Sequence, residues 1–188
     1  MLPRGADSSH TRQKNREGNA TVSALVHNLS AYAAYHRDRR NIALHMLGIP
    51  LIVLALEILL SRPVFGPLPL TPAMAASALA VLYYVTLDAW FALVLAVFLA
   101  VAAWAGLALG RLPMAAWLGC GAGAFVAGWV IQFIGHGFEG RKPAFFDDLI
   151  SLMTGPLFVA AEFGFLLGLR LPLKAAIQLQ GGCAGNPP

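Results

Sequence analysis

His36, His45 and His136 are side chains of the kind that ligate a metal, and Glu139 follows the last of them by three residues. Each stands at the polar mouth of a long apolar run. Neutral imidazole suits iron, zinc, copper or nickel, and two histidines plus a carboxylate with open positions suit non-haem Fe(II). Polar, ligand-type groups at the mouth of a membrane helix are costly, which makes them candidates for function. A single interfacial histidine is more often an anchor or a packing residue than a ligand. Three of the chain's five histidines meeting at one face is a stronger signal. His10 and His27 take no role.

The spacing around these residues is helical. Asn41 and His45 are four apart and share a face, and Gln132, His136 and Glu139 share another if the helix continues through Gly135. His36 lies nine residues before His45, half a turn out of phase on a straight helix. The two meet only if the chain bends near Arg40 and Asn41, as a surface helix turning into a span would.

The elements that must position them are membrane helices. The 188 residues are 58% hydrophobic and 12% charged, with mean hydropathy +0.67. A soluble domain is about half apolar and about a quarter charged. The expectation is an all-α polytopic membrane bundle of four to five transmembrane helices plus an N-terminal amphipathic helix. Residues 1–21 form a basic, disordered tail with no apolar stretch of a secretory signal. Between Val22 and Tyr35, Val22, Leu25, Val26, Leu29, Tyr32 and Ala33 recur at helical spacing and predict a helix lying on the membrane surface. Apolar runs follow at 42–60, 73–87, 89–109 and 114–134, with Asp88 at the turn of a hairpin. In the fourth run Gly119 and Gly123 have the spacing of a close-packing pair. A fifth run, 149–169, is interrupted by Gly155-Pro156 and is either a kinked span or re-entrant. Residues 22–170 thus make one integral membrane domain, the catalytic one if the histidines do chemistry, and 171–188 a loose C-terminal tail.

If four runs span, the start of the first and the end of the fourth lie on the same side, which brings His36, His45 and His136 to one membrane face. Arg37, Arg39, Arg40, Arg141 and Lys142 share it, against Arg62 and Arg111 opposite, joined there by Arg170 and Lys174 if the fifth run spans. That bias places the histidines on the cytoplasmic face, of a bacterial inner membrane or of the ER membrane in a eukaryote. The net charge of +4 sits beside apolar runs with no nucleic-acid fold, which argues against nucleic-acid binding. Glu57, twelve residues beyond His45, falls near the opposite interface and outside the site. Glu162 lies deep in the fifth run, where an ionised group costs about 2.5–3.5 kcal/mol, so it needs a partner.

Taken in order, Tyr35-His36, Asn41, His45, Gly48, Pro50, Gln132-Phe133, Gly135-His136, Glu139, Pro143-Ala144, Gly155-Pro156-Leu157-Phe158-Val159 and Glu162 resemble the Mpo-like family. These are small polytopic membrane proteins that include the yeast-type 2-hydroxy fatty acid dioxygenase of α-oxidation. The resemblance covers about residues 22–170. It implies an Fe(II)-dependent enzyme that uses dioxygen to shorten a 2-hydroxy fatty acid by one carbon, with the family's histidines falling on His36, His45 and His136.

Dioxygen reacts slowly with closed-shell organics, so such a reaction wants a redox metal. On this reading His36, His45 and His136 bind the metal, with Glu139 or Glu162 a fourth ligand or an orienting group. Asn41 and Gln132 hold those groups by hydrogen bonds. Arg37, Arg40 or Arg141 attract the substrate carboxylate, and Leu44, Leu47, Trp129 and Phe133 line the acyl path. The expected partners are the bilayer and the fatty acid, with a homo-oligomer left open. The alternatives are a non-catalytic membrane scaffold or lipid-binding protein, and a zinc-dependent lipid hydrolase.

Overall fold

The computed structural model describes residues 24–66, 70–140 and 150–183. They form helices throughout: α1 (24–35), α2 (Arg39–Leu59), α3 (Pro72–Leu87), α4 (Ala89–Leu109), α5 (Met114–Glu139), α6 (Ile150–Leu166) and α7 (Leu171–Cys183). Among the described residues α2, α4 and α5 are long and apolar enough to cross a membrane, which identifies an integral membrane protein, and α3 and α6 are shorter apolar helices. Residues 1–21, Arg141 and the polar segment around Lys142 lie outside the described residues.

Local chemistry starts the helices. Asp38 caps α2 by accepting the Arg40 N–H at 2.8 Å, and Thr71 caps α3 ahead of Pro72. Asp88 ends α3 and caps α4 through Trp90 and Phe91, making the hairpin turn. Gly140 closes α5 in the left-handed conformation at φ 68°.

The pair α2 and α5 is the spine of the fold, packed antiparallel over its whole length. At one end a Cβ on Gly135 would meet Asn41 Oδ1 at 2.5 Å; at the other, a Cβ on Gly121 would meet Leu59 at 2.6 Å. Gly128, midway between them, faces Ile52 and the Gly48 carbonyl. Glycines 121, 128 and 135 recur every seven residues and keep one seam of α5 flat against α2. Gly119 and Gly123, expected to be the close-packing pair, would meet nothing within 4 Å if either carried a methyl group. The sequence spacing is that of a contact, but these two glycines lie off the face that α2 covers.

The far end of this pair is pinned by backbone acceptors. Trp117 Nε1 donates to the Ile58 carbonyl at 2.7 Å, and the Arg62 guanidinium donates to the carbonyls of Gly110 and Leu112. Glu57 lies toward this end, buried, and accepts from Ser77 of α3. It is outside the site, as its distance along the helix requires.

At the histidine end a second core forms. Leu25, Leu29 and Tyr32 of α1 pack with Tyr84 and Leu87, Phe91 and Leu95, Leu157 and Phe158, and Ile177. Two expectations change here. The apolar face of α1 is covered by protein rather than laid on the bilayer surface, because α3, α4, α6 and α7 supply the cover. Residues Leu171–Cys183 form a helix rather than a loose tail, because Ile177, with Leu173 and Ala176 beside it, joins that core.

The fifth run carries α6, a shorter apolar helix with Pro156 inside it. Leu152 and Met153 of α6 line the same cleft as His45 and Leu56 of α2, and Arg170 beyond the end of α6 pairs with Asp88. Asp88 is at the histidine end, where Leu87 and Phe91 beside it join the core formed with α1.

Candidate metal centre

The bend between α1 and α2 brings His36 back over the first turn of α2. Its ring stacks on Tyr32 at 4.2 Å between centroids, with Phe158 of α6 at 5.8 Å. His45 comes one turn after Asn41 on α2, and His136 arrives from the last turn of α5. All three imidazoles are buried, and one ring nitrogen from each lies within 4.8 Å of the others. Among the described residues this is the grouping of ligand-type side chains that can hold a metal ion.

Hydrogen bonding sets the direction of the lone pairs. His36 Nδ1 is 2.8 Å from the Tyr32 carbonyl and His45 Nδ1 is 2.9 Å from the Asn41 carbonyl. A carbonyl can only accept, so each Nδ1 carries the proton and each Nε2 carries a lone pair. Those two Nε2 atoms face one another at 3.1 Å. Two lone pairs at that distance repel unless a cation lies between them. Burial pushes the His36 pKa down, outweighing the Tyr32 carbonyl and the Glu139 carboxylate that raise it, so a proton is disfavoured as that cation. A metal fits: nitrogens each about 2.1 Å from one ion are separated by about 3.0–3.4 Å in ordinary geometries. His136 Nδ1 is buried with no hydrogen-bond partner, a further atom that a metal would satisfy.

Glu139 is beside the cluster but occupied otherwise. Its Oε1 accepts the Arg37 N–H at 2.9 Å, and its Oε2 accepts the Asp38 N–H at 2.9 Å and Asn41 Nδ2 at 3.1 Å. It ties the last turn of α5 to the N-terminus of α2, where backbone N–H groups are otherwise unpaired. Asn41 therefore serves twice, through its side chain to Glu139 and through its carbonyl to His45. Glu162 is half-buried on α6, outside the histidine grouping, and Lys174 of α7 is the charge facing it.

An apolar cleft leads away from His45 and His136. Its floor is α2, with Ile49, Ile52, Val53 and Leu56, and its walls are α5 on one side and α6 on the other. From His45 to Leu56 it runs about 16 Å along the helix. Trp129 and Gln132 line it from α5, and Met153 and Pro156 from α6. Leu47 and Phe133, expected on the acyl path, are instead 66% and 50% exposed and face outward. Leu47 is two residues from His45 and so on the opposite side of α2. Leu44 packs toward Gly135, in the helix interface. The lining residues Ile49, Ile52, Val53 and Leu56 were not distinguishable in a run that is apolar all round. His45 itself supplied the missing reference, since positions 49, 52, 53 and 56 continue its face.

The basic residues rim the histidine end. Arg40 pairs with Asp38 and lies over the Phe138 ring at 4.3 Å, while the side chains of Arg37 and Arg39 are exposed.

Comparison with known proteins gives the same direction. Residues 22–167 match the family model described as "2-hydroxy-palmitic acid dioxygenase Mpo1-like". The chain is 33% identical over 153 residues to the 2-hydroxy-palmitic acid dioxygenase MPO1 of Saccharomyces cerevisiae, covering 80% of this chain and 85% of the yeast protein. No solved structure matches it.

Proposed function

The chain belongs to the Mpo1-like family, and from that premise we propose that it is an Fe(II)-dependent membrane dioxygenase. It cleaves the C1–C2 bond of 2-hydroxy fatty acids to give the fatty acid one carbon shorter. The observation that carries this reading is the pair of imidazole lone pairs facing each other at 3.1 Å at the head of an apolar cleft. Three imidazoles suit zinc as well as iron, and the family match is what favours a dioxygenase over a lipid hydrolase.

His36, His45 and His136 hold the metal, and Glu139 acts through Asn41 and the first turn of α2 as a positioning residue. Iron bound there supplies the one-electron chemistry that lets dioxygen react with a closed-shell acid. The protein's own part is binding and exclusion. The Tyr32 and Asn41 carbonyls fix two of the rings in one tautomer and orientation. The cleft takes the acyl chain from the lipid between α5 and α6 and keeps water from the reacting end. Arg37 and Arg39, exposed at the same end, draw the carboxylate toward the interface. The reaction balances when C1 leaves as carbon dioxide and the remaining oxygen atom as water. The acid supplies every electron that dioxygen takes up, so no separate reductant is needed.

α2, α3, α4 and α5 would make four crossings, with α6 re-entrant. Arg170 and Lys174 then join Arg37, Arg39 and Arg40 at the histidine end, against Arg62 and Arg111 at the other, which favours a cytoplasmic active face.

Anaerobically purified protein should hold about one iron per chain and consume dioxygen with 2-hydroxypalmitate, yielding pentadecanoate. His36→Ala, His45→Ala and His136→Ala should each lose both properties. Activity that persists without oxygen, or with zinc in place of iron, would refute the dioxygenase.

A further inference from the structure

We propose that Gln132 is the residue that reads the 2-hydroxyl group of the substrate, its side-chain oxygen accepting the hydroxyl proton. The inference rests on the dioxygenase reading above and adds to it a specificity-determining residue.

Around the metal centre the buried side-chain atoms without a hydrogen-bond partner are Asn41 Oδ1, Gln132 Oε1 and His136 Nδ1. Their surroundings differ. Asn41 is fully buried and its Oδ1 lies against Gly135, inside the α2–α5 interface. His136 Nδ1 is an imidazole nitrogen within the metal-binding group. Gln132, only 5% exposed, lines the cleft itself, one helical turn from His136 and across from His45. Its amide is held from behind by α2: a Cβ on Gly48 would lie 3.2 Å from Gln132 Cδ. The side chain is thus packed and desolvated, with an unpaired amide oxygen in a residue that lines the cleft between the imidazoles and its hydrocarbon side chains.

An acyl chain laid along Ile52 and Val53 with its carboxylate toward the histidines puts its second carbon at this level. A 2-hydroxy acid presents an O–H there and satisfies Gln132. An unsubstituted fatty acid presents only C–H, so binding it keeps the amide oxygen dry and unpaired. A site built to hydrogen-bond a substrate hydroxyl rejects the analogue that lacks it far more strongly than an apolar pocket rejects a change in size. For one neutral hydrogen bond the expected preference is about tenfold to hundredfold.

The test is anaerobic calorimetric titration of the full-length, iron-loaded protein with 2-hydroxypalmitate, palmitate and 2-fluoropalmitate. The fluoro acid has a substituent of similar size and no proton to donate. Wild type should bind the hydroxy acid at least about tenfold more tightly than the other two. Gln132→Leu and Gln132→Met should reduce that ratio to near one while binding palmitate as well as wild type or better. If the ratio survives both substitutions, or if wild type binds the fluoro acid as tightly as the hydroxy acid, Gln132 is not the reader. The fluoro comparison needs no variant and stands even where the variants fail to fold. Should wild type show no preference, the inference falls. If it also takes up no oxygen with 2-hydroxypalmitate, the dioxygenase reading falls with it.

Discussion

The Glu139 carboxylate accepts the backbone N–H of Asp38 at 2.9 Å, joining the last turn of α5 to the cap of α2 across 101 residues of sequence. The same carboxylate takes the Arg37 N–H and the Asn41 amide, so its acceptors face nothing but donors. Hydrogen bonds to a charged group contribute about 1.5–3 kcal/mol each when well shielded, and less at a partly exposed position such as this. Glu139→Gln turns one of those acceptors into a donor aimed at donors. It should lower stability by about 2 kcal/mol and reduce bound iron although all three histidines remain. Thermal unfolding and metal analysis of Glu139→Gln beside Arg39→Ala, which removes an exposed charge, check this. Equal behaviour of the two variants would remove Glu139 from the positioning role.

The seven-residue glycine seam predicts a contrast within one helix. Gly135→Ala places a methyl 2.5 Å from Asn41 Oδ1, and Gly128→Ala one 2.6 Å from Ile52 with backbone close behind. Overpacking of this kind costs about 1–3 kcal/mol. Gly119→Ala and Gly123→Ala meet nothing and gain helix propensity, up to about 1 kcal/mol. Unfolding of the four variants in detergent should therefore separate into two destabilised and two neutral or stabilised proteins. Gly135→Ala alone should also lose iron, since Asn41 supports His45.

Much of the site was legible because hydropathy counts crossings, and parity then says which ends of the runs share a face. That reasoning needed only that His36 precedes one run, that His45 sits in its first turn and that His136 follows another. What it could not reach were features set by a partner's position. Gly119 and Gly123 match a packing pattern as well as Gly121, Gly128 and Gly135 do, and only the location of α2 separates them. The same holds for the cleft, because a helix apolar on every side does not announce which side faces α6. The length of the fifth run allowed a span or a return. Tyr84 donating to the Met153 carbonyl and Arg170 reaching Asp88 tie this run to the α3–α4 hairpin, a partner its hydropathy does not name.

Acid should loosen the centre. Burial holds the His36 pKa below its ordinary 6.5, so the folded protein binds fewer protons there than the unfolded chain once the pH drops below that value. Stability from this group is complete above about 6.5 and is lost as the pH falls from there through the folded value. Protons also compete with metal for the same nitrogen. Thermal midpoints of wild type should be flat above this window and fall below it, and His36→Asn should show a shallower fall. Identical pH profiles for the two proteins would contradict a buried neutral imidazole at His36.

The groove floor predicts a change in chain-length preference without loss of chemistry. Val53 lines the cleft between Ile49 and Leu56, about 12 Å along α2 from His45 and clear of the metal-binding rings. Val53→Phe should fill the far part of the groove while leaving space next to the imidazoles. Long 2-hydroxy acids should then lose about tenfold or more in kcat/KM, the cost of roughly 1–3 kcal/mol of overpacking, while short ones keep wild-type values. Leu47→Phe, on the outward face of the same helix, should change neither. Measured across a series of 2-hydroxy acids, a uniform loss in Val53→Phe would mean that the acyl chain does not lie on this face of α2. A length-dependent loss in Leu47→Phe would put it on the opposite one.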